Sequence, residues 1–284
     1  MEKILSLFIV GLFLVGCSEK DSKKTGWERD NLKGKVKSIT ETIYKAVEKS
    51  GKVQKGSLSK KYSYKYDNNG NKIEYASYNS NGSLSAKHIY KYDNNGNKIE
   101  ETSYNSNGSL KSKLTYRYDY NNGNEIEQTW YYLDATLKGK DTYKYDDKGN
   151  NIEKSRYNSD GSLTCKIIYK YNGIGNKTEE DRYYSGGSKN YKLFYKYDNN
   201  GNKIESANYL SNGSLLYKLN YMYDINGNKI QEAEYNSDSS LVCITTNEEY
   251  DSKGNWTKEI RFETKNKAWK IPPRIIERKI EYYN

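Results

Sequence analysis

Two prolines, one histidine, two methionines and four phenylalanines are spread through 284 residues. So little proline leaves extended segments uninterrupted, because proline is the residue that removes ladder donors. The lone histidine, His88, stands where other copies of an internal repeat have Tyr62, Leu114, Asp141, Ile167, Leu193 and Leu219. It therefore reads as a packing residue, and neither a histidine-built metal site nor a Ser-His-Asp relay is expected. No metal and no cofactor is expected at all. Cysteine is also scarce. Cys165 and Cys243 are three full repeat periods apart, which on a flat sheet is roughly 29 Å and far beyond the reach of a disulfide. They read as small buried apolar residues. Only one long apolar run exists, Ile4 to Val15, too short to span a bilayer as a helix.

Mean hydropathy is −1.10 and 30% of the residues are charged, a composition that on its own describes a disordered chain. The formal charge is +10, but acidic and basic residues are interleaved, so no nucleic-acid partner is expected. What rescues a folded reading is tyrosine. The chain has 32 of them, large rings with a polar tip and a strong preference for strands.

Most of these tyrosines belong to a repeat. A Tyr-(Asp/Asn)-x-x-Gly-Asn motif occurs eight times, anchored on Gly70, Gly96, Gly123, Gly149, Gly175, Gly201, Gly227 and Gly254, with a period of 26 or 27 residues. A fixed period of this length marks a repeat architecture in which each unit packs on its neighbours. It also distributes chemistry evenly, which argues against a single catalytic centre.

In the unit at 84–109, Leu84, Ala86, His88, Tyr90 and Tyr92 alternate with Ser85, Lys87, Ile89 and Lys91, the period of a strand. Asp93-Asn94-Asn95-Gly96 is turn chemistry, with glycine at a left-handed position. Asn97 to Tyr104 returns, and Asn105-Ser106-Asn107-Gly108 turns again. The fold class that follows is all-β: tandem β-hairpin repeats forming one long twisted or coiled antiparallel sheet of about sixteen strands plus caps. A three-residue turn loop with a glycine bulge would pair Tyr92 with Lys98 and Tyr90 with Glu100. That places Tyr104 and Leu110 with the tyrosines in one ladder, and Ile99 with Lys91 opposite. A four-residue loop would put Ile99 with the tyrosines instead.

The ends read differently. Leu14-Val15-Gly16-Cys17 closes the apolar run and resembles a bacterial lipobox, so residues 1–17 read as a lipoprotein signal peptide ending at Cys17. The resemblance implies a diacylglyceryl-modified cysteine, a lipid anchor at the cell envelope and an outer-membrane location on its periplasmic or surface face. Residues 18–33 are polar and read as a flexible tether. Residues 34–57 read as an N-terminal capping strand region, 58–263 as the repeats and 264–284 as a C-terminal cap strand. Lysines and Pro272-Pro273 near the end would blunt an exposed sheet edge.

Tyr90-Lys91-Tyr92-Asp93-Asn94-Asn95-Gly96 resembles the YD repeat of RHS-type bacterial proteins, over about residues 60 to 255. The resemblance implies a spiralling β-sheet used as a shell or a carbohydrate-binding surface module. The chain departs from the family pattern in having Asn-Lys-Ile, not Arg-Leu, after the glycine, and no RHS core signature.

Three constellations remain. Asp67-Asn68-Asn69-Gly70 has its glycine too early and too few oxygens for a calcium loop. Lysines at 65, 91, 144, 170 and 196, with Arg117, and glutamates at 74, 100, 127, 153, 179 and 205 read as cross-strand charge ladders; the alternative is a basic stripe for acidic glycans. Trp130-Tyr131-Tyr132 lies at the most irregular repeat, after the extra Asn122, and is the candidate for stacking on a sugar. The function expected is a repeat-built binding module for a polysaccharide or protein ligand. A structural spacer without a ligand is the alternative, and an enzyme is not expected.

Overall fold

The computed structural model describes residues 25–265 and 268–284, apart from residue 51. The signal peptide, Cys17 and the first part of the expected tether lie outside the described residues.

Among the described residues, eighteen strands follow one short helix. The helix α1 is Gly26–Arg29; β1 is Val36–Lys49 and β2 is Lys52–Tyr66. The repeats supply β3 (Lys72–Tyr78), β4 (Leu84–Tyr92), β5 (Lys98–Asn105), β6 (Leu110–Tyr118), β7 (Glu125–Tyr131) and β8 (Leu137–Tyr145). They continue with β9 (Asn151–Asn158), β10 (Leu163–Tyr171), β11 (Lys177–Tyr184), β12 (Lys189–Tyr197), β13 (Lys203–Leu210) and β14 (Leu215–Tyr223). β15 (Lys229–Asn236), β16 (Leu241–Tyr250), β17 (Trp256–Lys265) and β18 (Ala268–Tyr282) complete the chain.

Each strand pairs antiparallel with the next, and β18 returns to pair with β1, joining Ile39 to Ile280 and Lys45 to Arg274. The sheet is therefore a closed barrel. The two terminal strands do not act as blunted edges, as the sequence suggested; they seal one another, and closure removes the edges altogether. Pro272-Pro273 lie where the β17–β18 register slips, a place that tolerates lost ladder donors. Eighteen strands at the usual spacing give a ring about 27 Å across before tilt.

The Asp-x-x-Gly turns settle the register. Asp93 N–H donates to the Asn97 carbonyl at 2.9 Å and Gly96 N–H donates to the Asp93 carbonyl at 3.1 Å. That is the three-residue loop, with Gly96 at φ +80°. All eight motif glycines have positive φ, from +69° to +87°. The carboxylate finishes the turn: Asp93 Oδ1 accepts from the Asn95 and Asn97 backbone N–H groups and Oδ2 from Asn97 Nδ2.

Facing differs from the sequence reading in one respect. Tyr92 pairs with Lys98, but Lys91 pairs with Glu100 and Tyr90 with Glu101, because Ile99 is an extra bulged residue. The bulge shifts the return strand by one, and a shift of one exchanges faces. Tyr104 pairs with Lys87 and Leu110, on the face opposite Tyr90 and Tyr92, so the Tyr/Leu ladder does not form.

The face bearing Lys91 points outward. Its ladder is an ion-pair belt: Glu100 bridges Lys91 and Lys113 at 2.7 Å each, and Glu179 bridges Lys170 and Lys192 at 2.9 Å each. The same arrangement holds at Glu74 and Glu153. The belt stays wet, with the Lys91 side chain 63% exposed. Apolar packing concentrates at the seam, in one cluster of Val36, Ile39 and Tyr66 and another of Ala46, Ile260 and Ile275.

The second half of the stretch read as a tether is ordered. Thr25 and Glu28 form a capping box on α1, satisfying free N–H groups reciprocally. Trp27 lies over Gly70, where any side chain would collide with the indole, and donates from Nε1 to the Val36 carbonyl at 2.7 Å. Asp30 receives Tyr66 Oη at 2.6 Å and Lys72 Nζ at 2.8 Å. Lys33 exchanges backbone hydrogen bonds with the Asn255 side chain. This segment docks on the rim formed by the Asp-x-x-Gly turns, here the proximal rim. The Asn-Ser-x-Gly turns form the distal rim.

Candidate functional site

The inward face is built by two positions of every repeat. From the second motif turn onward, the tyrosine before the turn donates its hydroxyl to a backbone carbonyl one repeat earlier: Tyr92 to Lys72 at 2.7 Å, Tyr118 to Lys98 at 2.9 Å, Tyr171 to Asn151 at 2.7 Å and Tyr197 to Lys177 at 2.7 Å. The accepting carbonyl sits beside the bulge. Two residues earlier a second tyrosine faces inward, and a lysine from the return strand lies between consecutive rings. Lys98 Nζ is 5.4 Å from the Tyr90 ring and 4.3 Å from Tyr116; Lys177 is 4.9 Å from Tyr169 and 5.3 Å from Tyr195. Such distances are in the range of cation–π attraction.

Carboxylates complete the lining. Glu101 binds Lys98 at 3.2 Å and accepts from Tyr116 Oη at 3.0 Å. Burial raises the Glu101 pKa, but the hydrogen bond from His88 and the Lys98 charge outweigh it and bring the group down to about 2. Lys98 is held below its ordinary value by burial, against the pull of Glu101. These inward side chains keep 25% and 18% of their surface open, so water-sized space reaches them inside a closed ring.

His88 has company that its position in the sequence did not reveal. Ser103 Oγ and Glu101 Oε1 both lie 3.1 Å from His88 Nδ1. A proton relay engages the two imidazole nitrogens separately. Here one nitrogen serves both neighbours, an arrangement that orients the ring between Tyr75 and Tyr90.

The lining breaks its own rule at β7–β9. The lysine position holds Glu125 and Asn151 in these repeats, and Asp141 replaces an apolar residue. Asp141 is 0% exposed and receives Arg156 through Nε at 2.9 Å and Nη2 at 3.0 Å, with Lys154 Nζ at 2.7 Å. Arg156 then lies 4.8 Å from the Trp130 ring. Beside them Tyr143 donates to Gln128 Oε1 at 3.0 Å. Burial raises Glu125, with Lys98 and Lys154 opposing. A partly open indole with a fixed guanidinium and amide around it can stack on a ring and hydrogen-bond its hydroxyls.

The aromatic triplet is divided by strand alternation. Trp130 faces inward, Tyr131 faces outward opposite Lys113, and Tyr132 is 53% exposed at a distal turn under Lys138. They do not make one surface. Only Trp130 joins the interior constellation, and the acidic and basic partners came from repeats that sequence spacing does not place beside it. Cys165 and Cys243 are buried and free. Among the described residues, no group of three or more histidine, cysteine or acidic side chains could hold a metal. No described helix is long and apolar enough to cross a membrane.

No protein-family model matches the chain, and neither does any curated protein. Among solved structures, a porin-like protein from Bacteroides uniformis is similar at 12% identity, over 93% of this chain and 100% of that one, with a TM-score of 0.47. A porin-like protein from Bacteroides vulgatus is similar at 13% identity, over 87% and 98%, with a TM-score of 0.42. A Photorhabdus luminescens Tc holotoxin pore chain matches at 11% identity, covering 73% of this chain but 14% of that chain, with a TM-score of 0.28. The class of protein is defined by its own strands: an 18-stranded closed barrel of hairpin repeats.

Proposed function

We propose that this chain is a YD-repeat-like lipoprotein of the bacterial cell envelope, anchored through Cys17, whose barrel interior binds a glycan. The observation that carries the reading is the interior lining, in which tyrosine rings, lysines and carboxylates alternate around space that water reaches, with the Trp130–Arg156–Asp141 constellation as its most distinctive part. The outward face argues that the barrel wall is not itself the membrane-spanning element. Spanning barrels carry an outward apolar band, whereas this wall carries Lys–Glu–Lys triplets at corresponding strand positions.

The test is a glycan-array screen of the full-length chain carrying Cys17→Ala, which removes the anchor. Binding that is lost in Trp130→Ala with the fold intact supports the reading. Absence of binding to every envelope glycan on the array sinks it. A spacer role then leads, and one observation favours it: the tyrosine hydroxyls and ring faces are already engaged by carbonyls and lysines.

A further inference from the structure

We infer that the proximal rim is a membrane-contacting surface, seated on the bilayer through the turn tips Tyr120, Ile174 and Ile225, so that the barrel stands with its distal mouth pointing away. This rests on the anchor reading of Cys17 and adds the orientation and the contact residues.

Three observations converge. Tyr120 and Ile225 are 100% exposed and Ile174 is 77% exposed, the most exposed large apolar residues of the described chain. All three occupy tips of the (Asp/Asn)-x-x-Gly turns, where the other turns place asparagine, aspartate, serine or lysine. Hydrophobic tips on a hydrophilic rim are a feature that solvent does not explain.

Their arrangement is the second observation. They fall on the third, fifth and seventh of the eight motif turns, evenly staggered along one arc of the rim. The N-terminal segment docks across the seam side of the rim, with Trp27 at the first turn and Lys33 reaching the eighth turn and Asn228 of the seventh. The chain that leads back to the anchor thus leaves the rim at the first turn, and the three apolar tips follow around the ring from the third turn to the seventh. Together they define a plane, which is what a rigid cylinder needs in order to rest on a flat surface. Lys148 and Lys253 lie at the tips of the fourth and eighth turns, where anionic headgroups would meet them.

Chain length supplies the third. Seven residues lie between Cys17 and Thr25, eight steps of backbone with a reach of at most about 28 Å. The strands of one repeat are eight or nine residues long, so the wall is about 28 Å high along a strand. An inverted barrel, with its distal rim on the bilayer, would need this connection pulled to its full reach, whereas the proximal orientation leaves it slack. Exposure alone would not choose between the rims, because Leu133 is 62% exposed and Tyr132 53% exposed at a distal turn. The position of the N-terminal segment makes the choice.

Tryptophan can be placed at each position without disturbing a packed contact. The full-length protein, purified from membranes and checked by mass for acylation of Cys17, is reconstituted in phosphatidylethanolamine/phosphatidylglycerol vesicles whose chains carry bromine. Between non-brominated and brominated vesicles, I225W and I174W should lose a larger fraction of their emission than the parent does, with the added emission shifted to the blue, while L133W at the distal rim should lose no larger a fraction than the parent. Quenching of L133W in place of the proximal probes, or of none of the three, overturns the orientation. An unmodified Cys17 with quenched proximal probes would remove the anchor and leave the rim contact standing. Unchanged far-ultraviolet spectra and melting temperatures of the variants confirm that folding is not what is read.

Discussion

The hydroxyl of Tyr92 donates to the backbone carbonyl of Lys72 across 2.7 Å, joining a tyrosine of one repeat to the bulge of the repeat before it. The same bond recurs from Tyr171 to Asn151 and from Tyr223 to Lys203. At the seam, Tyr283 donates to the Tyr66 carbonyl at 2.5 Å, which extends the pattern across the point of closure. A bulge leaves a carbonyl outside the regular ladder, and a buried carbonyl without a donor is costly. The tyrosine of the motif therefore does two things at once. It supplies strand surface, and it satisfies the acceptor that the neighbouring turn creates.

Tyr171→Phe should accordingly cost about 1 to 2 kcal/mol, because it keeps the ring and strands the Asn151 carbonyl. Chemical denaturation would measure it, and amide exchange should show the loss concentrated in β9 and β10. An effect below about 0.3 kcal/mol, against the magnitude expected for a lost buried bond, would mean that water replaces the hydroxyl.

The turns make a second prediction with both signs. Two distal turns lack glycine at the left-handed position, where Ala135 and Ser239 both have φ +63°. Ala135→Gly and Ser239→Gly should each stabilise by about 1 kcal/mol, since glycine carries no steric penalty there. Gly96→Val should destabilise by at least about 1 kcal/mol for the converse reason. Melting temperatures of the three variants would decide, and a destabilising Ala135→Gly would contradict the strain argument.

How much of this was legible follows from range. The Asp-x-x-Gly turns hold the hydrogen bonds that define them within five residues, so their chemistry could be read directly, as could the charge ladders between adjacent strands. The bulge at Ile99 could not, because it moves Tyr90 from Glu100 to Glu101 without any special residue to announce it. Closure depends on Ile39 meeting Ile280, a contact with no local signature. The helix at Gly26–Arg29 was hidden by a polar composition, although Thr25 and Glu28 are spaced as a capping box. The site at Trp130 was legible as an irregularity, but Asp141 and Arg156 are joined to it only by the register of three strands.

That register makes Asp141 a test of the interior. It is fully buried and holds two cations, Arg156 and Lys154. Asp141→Asn should destabilise by about 3 kcal/mol by leaving those charges without a counter-ion. Four other repeats have leucine or isoleucine at this position, namely Leu114, Ile167, Leu193 and Leu219. The double variant Asp141→Leu/Arg156→Leu should therefore recover much of the loss. A double variant as unstable as the single one would show that the acid is required for more than pairing.

The last prediction concerns pH. Burial raises the Glu259 pKa to about 7; neighbouring Glu41 adds to the effect, and Lys229 and Arg278 oppose it. The sign follows from proton binding. Between the ordinary carboxylate value near 4.3 and a folded value near 7, the folded chain holds more protons than the unfolded one, so this group makes stability fall as pH rises. Above the folded value the penalty is constant. Glu101, brought down to about 2, acts in the opposite sense: its contribution is complete above the unfolded value and disappears as pH falls through about 2. The two groups therefore titrate in separate windows. Glu259→Gln should raise stability more at pH 8 than at pH 5, and flatten the decline between them. Denaturation midpoints at both pH values measure it. A variant whose stability changes equally at pH 5 and pH 8 would show that Glu259 is already ionised throughout, with lumen water supplying the solvation that burial was taken to remove.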